Sequence, residues 1–242
     1  ETFDAALPFA LTDGQKAVGN EIAADLAQEV PMQRLLQGDV GSGKTVVAVR
    51  AMLDVVAAGG QAVLLAPTEV LAAQHAAGIR RLLGPLAEVD SLLGAAATVD
   101  GTSVVLLTGS ARSAQRRQAL EAIESGAAGL IVGTHALLEE SVQFARLGLV
   151  VIDEQHRFGV HQRLTLAAKG RAVDVLVMTD PGETATREIP AELHAGRMPG
   201  PVVKVNDPSA GTSSAEAGSA ETRARSVAAM CPKRASGLMI KL

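Results

Sequence analysis

The residues most suggestive of chemistry form the stretch GDVGSGKT, residues 38–45, which has the spacing G-x-x-x-x-G-K-[ST]. An apolar run precedes it and a stretch with helical periodicity follows it, as a phosphate-binding loop requires. Glycines permit backbone angles at which successive N–H groups converge on phosphate oxygens, and the following helix adds its positive end. We therefore expect a nucleotide to contact Gly38, Asp39, Gly41, Ser42, Gly43, Lys44 and Thr45.

Two side chains of this loop have separate expected roles. Lys44 supplies a cation to the β and γ phosphates, and Thr45 offers a hydroxyl to Mg²⁺. A glycine-rich turn that matches the pattern by accident is the alternative, and the flanking strand and helix argue against it. The sequence thus predicts that Lys44 holds a triphosphate.

A second candidate group follows another apolar run, in GLVVIDEQH, residues 148–156. Asp153 is expected to hold Mg²⁺, and Glu154 to polarise the water that attacks the phosphate. His156 is either a surface histidine or a residue that senses the γ phosphate. Two acids at a strand end are also common in solvated turns, but an upstream phosphate loop favours the catalytic interpretation.

The composition limits the classes of partner. The formal net charge is −4, and aromatic residues make up 2% of the chain, with no Trp and no Tyr. A groove that stacks bases on aromatic rings is therefore disfavoured, and any nucleic-acid contact should run along phosphates. The single cysteine cannot form an internal disulfide, and no apolar run reaches the roughly 18 residues of a membrane span. We expect a cytoplasmic protein without a membrane partner.

The elements that must position these residues alternate along the chain. Apolar runs predict buried strands at 33–36, 62–66, 103–107, 129–133, 148–152 and 175–178. Segments with helical spacing, each ending at glycine, predict helices within 44–59, 68–84 and 110–126, with Ser110 able to cap the third. This alternation predicts a doubly wound, mostly parallel α/β sheet, whose ligands bind at the carboxyl ends of the strands. Residues 86–102 are predicted to be an inserted loop or weak helix.

The order of these motifs resembles that of the superfamily 2 helicases, and the motif sequences most resemble those of the RecG-type ATP-dependent DNA helicases. GDVGSGKT resembles their motif I and DEQH their motif II, within the more discriminating string DEQHRFGVHQR, residues 153–163. Three further strings resemble their strand-contacting motifs: APTEVLAAQH (66–75), LTGS (107–110) and GTHALL (133–138). The resemblance covers roughly residues 5–179 and implies a RecA-like P-loop NTPase domain that uses ATP and Mg²⁺.

The resemblance also implies further site residues. In LPFALTDGQ, residues 7–15, Gln15 matches the adenine partner, and an amide can pair with both a donor and an acceptor of adenine. This stretch could equally be a helix start with Thr12 or Asp13 as N-cap. The family's loops contact the backbone of branched or forked DNA, which implies contacts from Thr68, Thr108, Ser110, Thr134 and His135. Helix capping by the threonines is the alternative.

The resemblance breaks after residue 179, where the family continues with a motif III of the T-A-T-P type. Thr179 matches its first residue, but Asp180 and Pro181 do not fit. We expect a RecA-like ATP-binding domain at 1–179, a family-like remnant without motif III at 180–208, and a low-complexity, mostly disordered tail at 209–242.

The family's second motor lobe, which carries an arginine finger, has no counterpart in this sequence. A motor fragment of this kind should bind Mg²⁺-ATP and the DNA backbone, with weak or no hydrolysis and no unwinding alone. Two alternatives stay open. One is a degenerate, non-catalytic nucleotide-binding or interaction module, and the other is a P-loop NTPase that serves a transaction without DNA.

Overall fold

A computed structural model describes residues 2–84, 102–153, 166, 169–170, 172–180 and 202–204. The predicted tail at 209–242, and all but the last residue of the predicted insertion at 86–102, lie outside these residues. Glu154 and His156 also lie outside them.

Seven parallel strands form one sheet in the order β3-β4-β2-β5-β6-β1-β7. In chain order they are β1 Gln33–Gln37, β2 Gln61–Leu65, β3 Ser103–Leu107, β4 Ala128–Gly133, β5 Leu147–Asp153, β6 Asp174–Thr179 and β7 Val202–Lys204. The six predicted strands are confirmed, as is the doubly wound α/β class. The short edge strand β7, which pairs with β1, was not expected from the sequence.

Helices cover both faces of the sheet. They are α1 Thr2–Ala6, α2 Asp13–Leu26, α3 Lys44–Ala57, α4 Glu69–Leu83 and α5 Ser113–Ser125, with a 3₁₀ turn at His135–Leu138. One apolar core lies between the sheet and α2, α3 and α4, and includes Ile22, Met52 and Ile79. The other lies under α5 and the 3₁₀ turn, and includes Ile123 and Leu137. Both faces of the central strands are therefore buried, which explains their continuous apolar runs.

The predicted cap of the third helix is wrong. Helix α5 begins at Ser113, and Arg112 occupies the N-cap position without a side-chain hydrogen bond to the helix. The hydroxyl of Ser110 instead donates to a carboxylate oxygen of Glu69, which lies 41 residues earlier in the chain. Ser110 therefore lies before α5 and contacts Glu69 of α4 instead of capping α5. The end of α5 at Gly126 is as predicted, with φ +80° in the left-handed region that glycine tolerates.

The strand order divides the candidate residues into two groups at one edge of the sheet. All strands are parallel, so their carboxyl ends meet there. Strands β1 and β6 are neighbours that lead into the phosphate loop and Asp180, and Asp153 ends β5, the next strand in the sheet. Strands β3, β4 and β2 are also neighbours and lead into the three loops predicted to contact DNA.

Candidate functional site

The phosphate loop connects β1 to α3 and has the backbone that its glycines predict. Gly41 and Gly43 adopt φ angles of +84° and +86°, in the left-handed region. A Cβ atom at Gly43 would lie 2.2 Å from the amide nitrogen of Gln15, so a larger residue would displace that side chain as well as strain the left-handed backbone. The loop therefore presents the N-terminus of α3, with its unpaired backbone N–H groups, at the carboxyl edge of the sheet.

Lys44 lies in the first turn of α3 and points back over the loop. Its ammonium donates to the backbone oxygens of Gly38 at 2.6 Å and Asp39 at 2.9 Å. It also forms an ion pair of 2.6 Å with Oδ1 of Asp180, the residue after β6. All three donors of the ammonium are thus used within the protein. A phosphate that binds Lys44 must replace at least one of these acceptors.

Gln15 lies beside the loop and joins it to α2. Its Oε1 accepts from the backbone N–H of Thr12 at 2.9 Å, while the Thr12 hydroxyl accepts from the Gln15 N–H at 3.2 Å. This reciprocal pair is a capping box at the start of α2. The Gln15 amide nitrogen also donates to the backbone oxygen of Ser42 at 2.8 Å. The helix-start alternative is therefore confirmed for Thr12, and Gln15 is also placed against the phosphate loop.

The two predicted magnesium ligands supply the oxygen atoms that this ion prefers. Thr45 follows Lys44 in α3, and Asp153 ends β5 at the same edge of the sheet. Oδ2 of Asp153 lies 2.7 Å from Nε2 of His75, and both side chains are mostly buried. The hydroxyl of Ser42 is buried and has no hydrogen-bond partner among the described residues. A hydroxyl, a carboxylate and an unpaired loop hydroxyl at one edge fit a hydrated Mg²⁺ bound with a nucleotide.

The loops predicted to contact DNA differ in exposure. Thr68 is exposed as the N-cap of α4, where its hydroxyl accepts from the Leu71 N–H at 3.2 Å, and His135 is also exposed. Thr108 and Thr134 are buried, at 8% and 1% exposure. Direct contact between these two hydroxyls and a phosphate would therefore require the loops to move. The capping alternative applies to Thr68.

Ser110 is exposed, and both of its donors bind one carboxylate. Its backbone N–H donates to Oε1 of Glu69 at 2.9 Å, and its hydroxyl donates to the other oxygen. These bonds lower the pKa of Glu69, with smaller contributions from the Gly109 backbone and nearby His135. Glu69 therefore stays ionised under conditions that protonate ordinary glutamates. The Ser110 loop is an anion-binding group that holds an anion of the chain itself.

Three residues at the site were not singled out from the sequence as contacts. Asp180 pairs with Lys44, His75 contacts Asp153, and Glu69 contacts Ser110. Their partners are distant along the chain, by 136, 78 and 41 residues, so local spacing carries no signal for these contacts. The sequence shows that Asp180 departs from the family's motif III, but it does not show that Asp180 pairs with Lys44.

Comparison with known proteins identifies the family. The family model described as DEAD/DEAH box helicase matches residues 12–179, which is more than half of the chain. The chain belongs to the DEAD/DEAH box helicase family. The predicted RecA-like helicase fold is thereby confirmed.

Curated relatives narrow the resemblance to RecG. The ATP-dependent DNA helicase RecG of Mycobacterium tuberculosis (strain ATCC 25618 / H37Rv) is 56% identical over 176 residues, which cover 72% of this chain and 24% of the relative. RecG of Streptococcus pneumoniae is 50% identical over 174 residues, with 72% and 24% covered. The predicted RecG resemblance is confirmed. The chain spans about a quarter of the length of these relatives.

Solved structures also show the similarity to RecG and to a second helicase domain. A structure of RecG bound to a three-way DNA junction shares 40% sequence identity and a TM-score of 0.60, covering 79% of this chain and 23% of that chain. The Hef helicase domain of Pyrococcus furiosus shares 26% identity and a TM-score of 0.51, covering 69% and 33%. Within the described part of this chain, no helix combines the length and apolar character needed to cross a membrane.

Proposed function

We propose that this chain is the first motor domain of a RecG-like DNA helicase and that it binds Mg²⁺-ATP at the carboxyl edge of β1, β6 and β5. The observation that carries this proposal is the loop itself. Two left-handed glycines lead into α3, with Lys44 in its first turn and Asp153 at the same edge of the sheet. Backbone amides, an ammonium and a carboxylate are the groups that phosphoryl-transfer sites use.

The proposed roles follow the chemistry of each group. Lys44 binds the β and γ phosphates, and Thr45 and Asp153 hold the metal. When bound, Mg²⁺ neutralises charge on the phosphate oxygens. Glu154, which lies outside the described residues, is proposed to polarise the attacking water. Hydrolysis by this chain alone is proposed to be slow or undetectable, since closure of two lobes completes such sites.

Thermal unfolding with Lys44→Ala tests nucleotide binding. A ligand at a hundredfold excess over its Kd stabilises the folded state by about 2.7 kcal/mol, which raises Tm by roughly 5–10 °C for a domain of this size. We expect that shift with Mg²⁺-ATP in the natural chain, and little or none in Lys44→Ala. Arg117→Ala, which removes one exposed positive charge from α5, is the control and should keep the shift. Equal shifts in all three proteins would reject the phosphate-loop assignment.

We also propose that the loops after β2, β3 and β4 contact the backbone of branched or forked DNA. The RecG structure with a three-way junction and the anion-binding donors of Ser110 support this. At a net charge of −4, binding should be weak. Filter binding to forked DNA should give a log Kd that rises linearly with log salt, by about 0.9 per phosphate neutralised. An affinity that does not change between low and high salt would contradict this part of the proposal.

A second candidate is a non-catalytic nucleotide-binding or interaction module, and the ion pair of Lys44 with Asp180 favours it. The lysine that should grip phosphate is held by a carboxylate of the chain. ATP turnover that forked DNA stimulates would reject this second candidate.

A further inference from the structure

We propose that Asp180 is a specificity determinant of the nucleotide site, which weakens the binding of di- and triphosphates by holding the ammonium of Lys44. This inference rests on the proposed function, since it concerns the same loop.

The sheet itself brings Asp180 to the loop. Strands β1 and β6 pair in parallel, with Gln37 opposite Thr179 in the last pair of the ladder. The Gly38 N–H then donates to the backbone oxygen of Thr179 at 3.4 Å. The residue that follows Thr179 must therefore lie beside the first residues of the phosphate loop. The position of Asp180 is a consequence of strand register.

Of the three acceptors of the Lys44 ammonium, the Asp180 carboxylate is the one that a phosphate can replace. The Lys44 side chain is 14% exposed, and two of the acceptors of its ammonium are backbone oxygens of the loop that a nucleotide would need in place. The third acceptor is the carboxylate of Asp180, whose side chain is 43% exposed and can change rotamer without moving the loop backbone. An incoming phosphate would therefore replace Asp180 rather than the backbone oxygens.

Two effects make this replacement costly for a polyphosphate. The ion pair, whose Asp180 side chain is partly exposed, must be broken, and on the scale of surface pairs this corresponds to about a two- to fivefold change in affinity. The released carboxylate also stays near the phosphates and repels them. In phosphate loops the lysine reaches the β and γ phosphates. Adenosine monophosphate lacks both groups, so its binding should not depend on Asp180.

Calorimetric titration of ATP, ADP and AMP in the presence of Mg²⁺ tests this inference. The proteins are the natural chain, Asp180→Asn, Asp180→Ala and the control Glu121→Gln. Glu121 is 71% exposed on α5, so the control removes one negative charge from a helix that packs on β3 and β4. We expect both Asp180 variants to bind ATP and ADP about two- to fivefold more tightly, with AMP unchanged. The alanine variant should gain at least as much, because asparagine can still accept a hydrogen bond from Lys44.

The outcomes separate this inference from the function on which it rests. Unchanged or weaker ATP binding in both Asp180 variants, with the natural chain binding ATP, would overturn the inference and leave the proposed function intact. A similar gain for AMP, or for Glu121→Gln, would also overturn it, because the effect would not be local to Lys44. If neither the natural chain nor either Asp180 variant binds ATP while melting cooperatively, both proposals fail.

Discussion

Gln15 uses both ends of its side-chain amide inside the protein. Its oxygen accepts from Thr12 and its nitrogen donates to Ser42, so it caps α2 and fixes the phosphate loop at once. An amide has two N–H donors and two lone pairs, which leaves one donor and one acceptor. These are the groups that a bidentate pair with adenine needs. The hydrogen-bond count therefore allows capping and adenine recognition together, but Gln15 is only 9% exposed, so contact with adenine would require its surroundings to move.

Replacing Gln15 separates these two roles. Gln15→Ala should reduce the preference for ATP over GTP by about 1–3 kcal/mol, which is the discrimination of a bidentate amide–adenine pair. Thr12→Ala should lose about 1 kcal/mol of stability with its cap but keep the preference. Titration of both nucleotides into each variant measures the ratio. A Gln15→Ala protein with the natural ratio would show that Gln15 serves the helix alone.

The sequence predicts single residues well where their role is local. Gly41 and Gly43 adopt the left-handed angles that the loop pattern requires, because the pattern and the angles belong to the same eight residues. It fails where the partner is remote. The contacts of Lys44 with Asp180 and of Asp153 with His75 join residues 136 and 78 positions apart. Only the packed sheet determines those pairs.

At the scale of elements, burial decides what the sequence could predict. Strand β2 is buried along its whole length and gives a continuous apolar run, so its bounds agree with the prediction to within one residue. Strand β7 has three residues, too few for a periodic signal, and it exists because the edge of β1 is available.

Buried Gln61 is a further feature that the apolar pattern hides. It donates to the backbone oxygens of Ile123 in α5 and Ala128 in β4, and it accepts from the N–H of Arg146 just before β5.

At the scale of the whole molecule, the strand order and the charge act together. The order separates the strands of the proposed nucleotide site, β1-β6-β5, from those of the proposed nucleic-acid site, β3-β4-β2, and β2 and β5 are neighbours at the junction. In each of these two groups of strands, a carboxylate of this acidic chain binds a donor that could bind phosphate. Asp180 pairs with Lys44, and Glu69 accepts from Ser110. The molecule therefore holds its own anions where its proposed ligands would bind.

A crystal structure of this chain with Mg²⁺ and a non-hydrolysable ATP analogue tests the central claim most directly. We expect the β phosphate within hydrogen-bond distance of the Lys44 ammonium and the loop amides, and the metal beside Thr45 and Asp153. The Asp180 carboxylate should have left Lys44. A nucleotide bound away from the 38–45 loop, with Lys44 still paired to Asp180, would contradict the account.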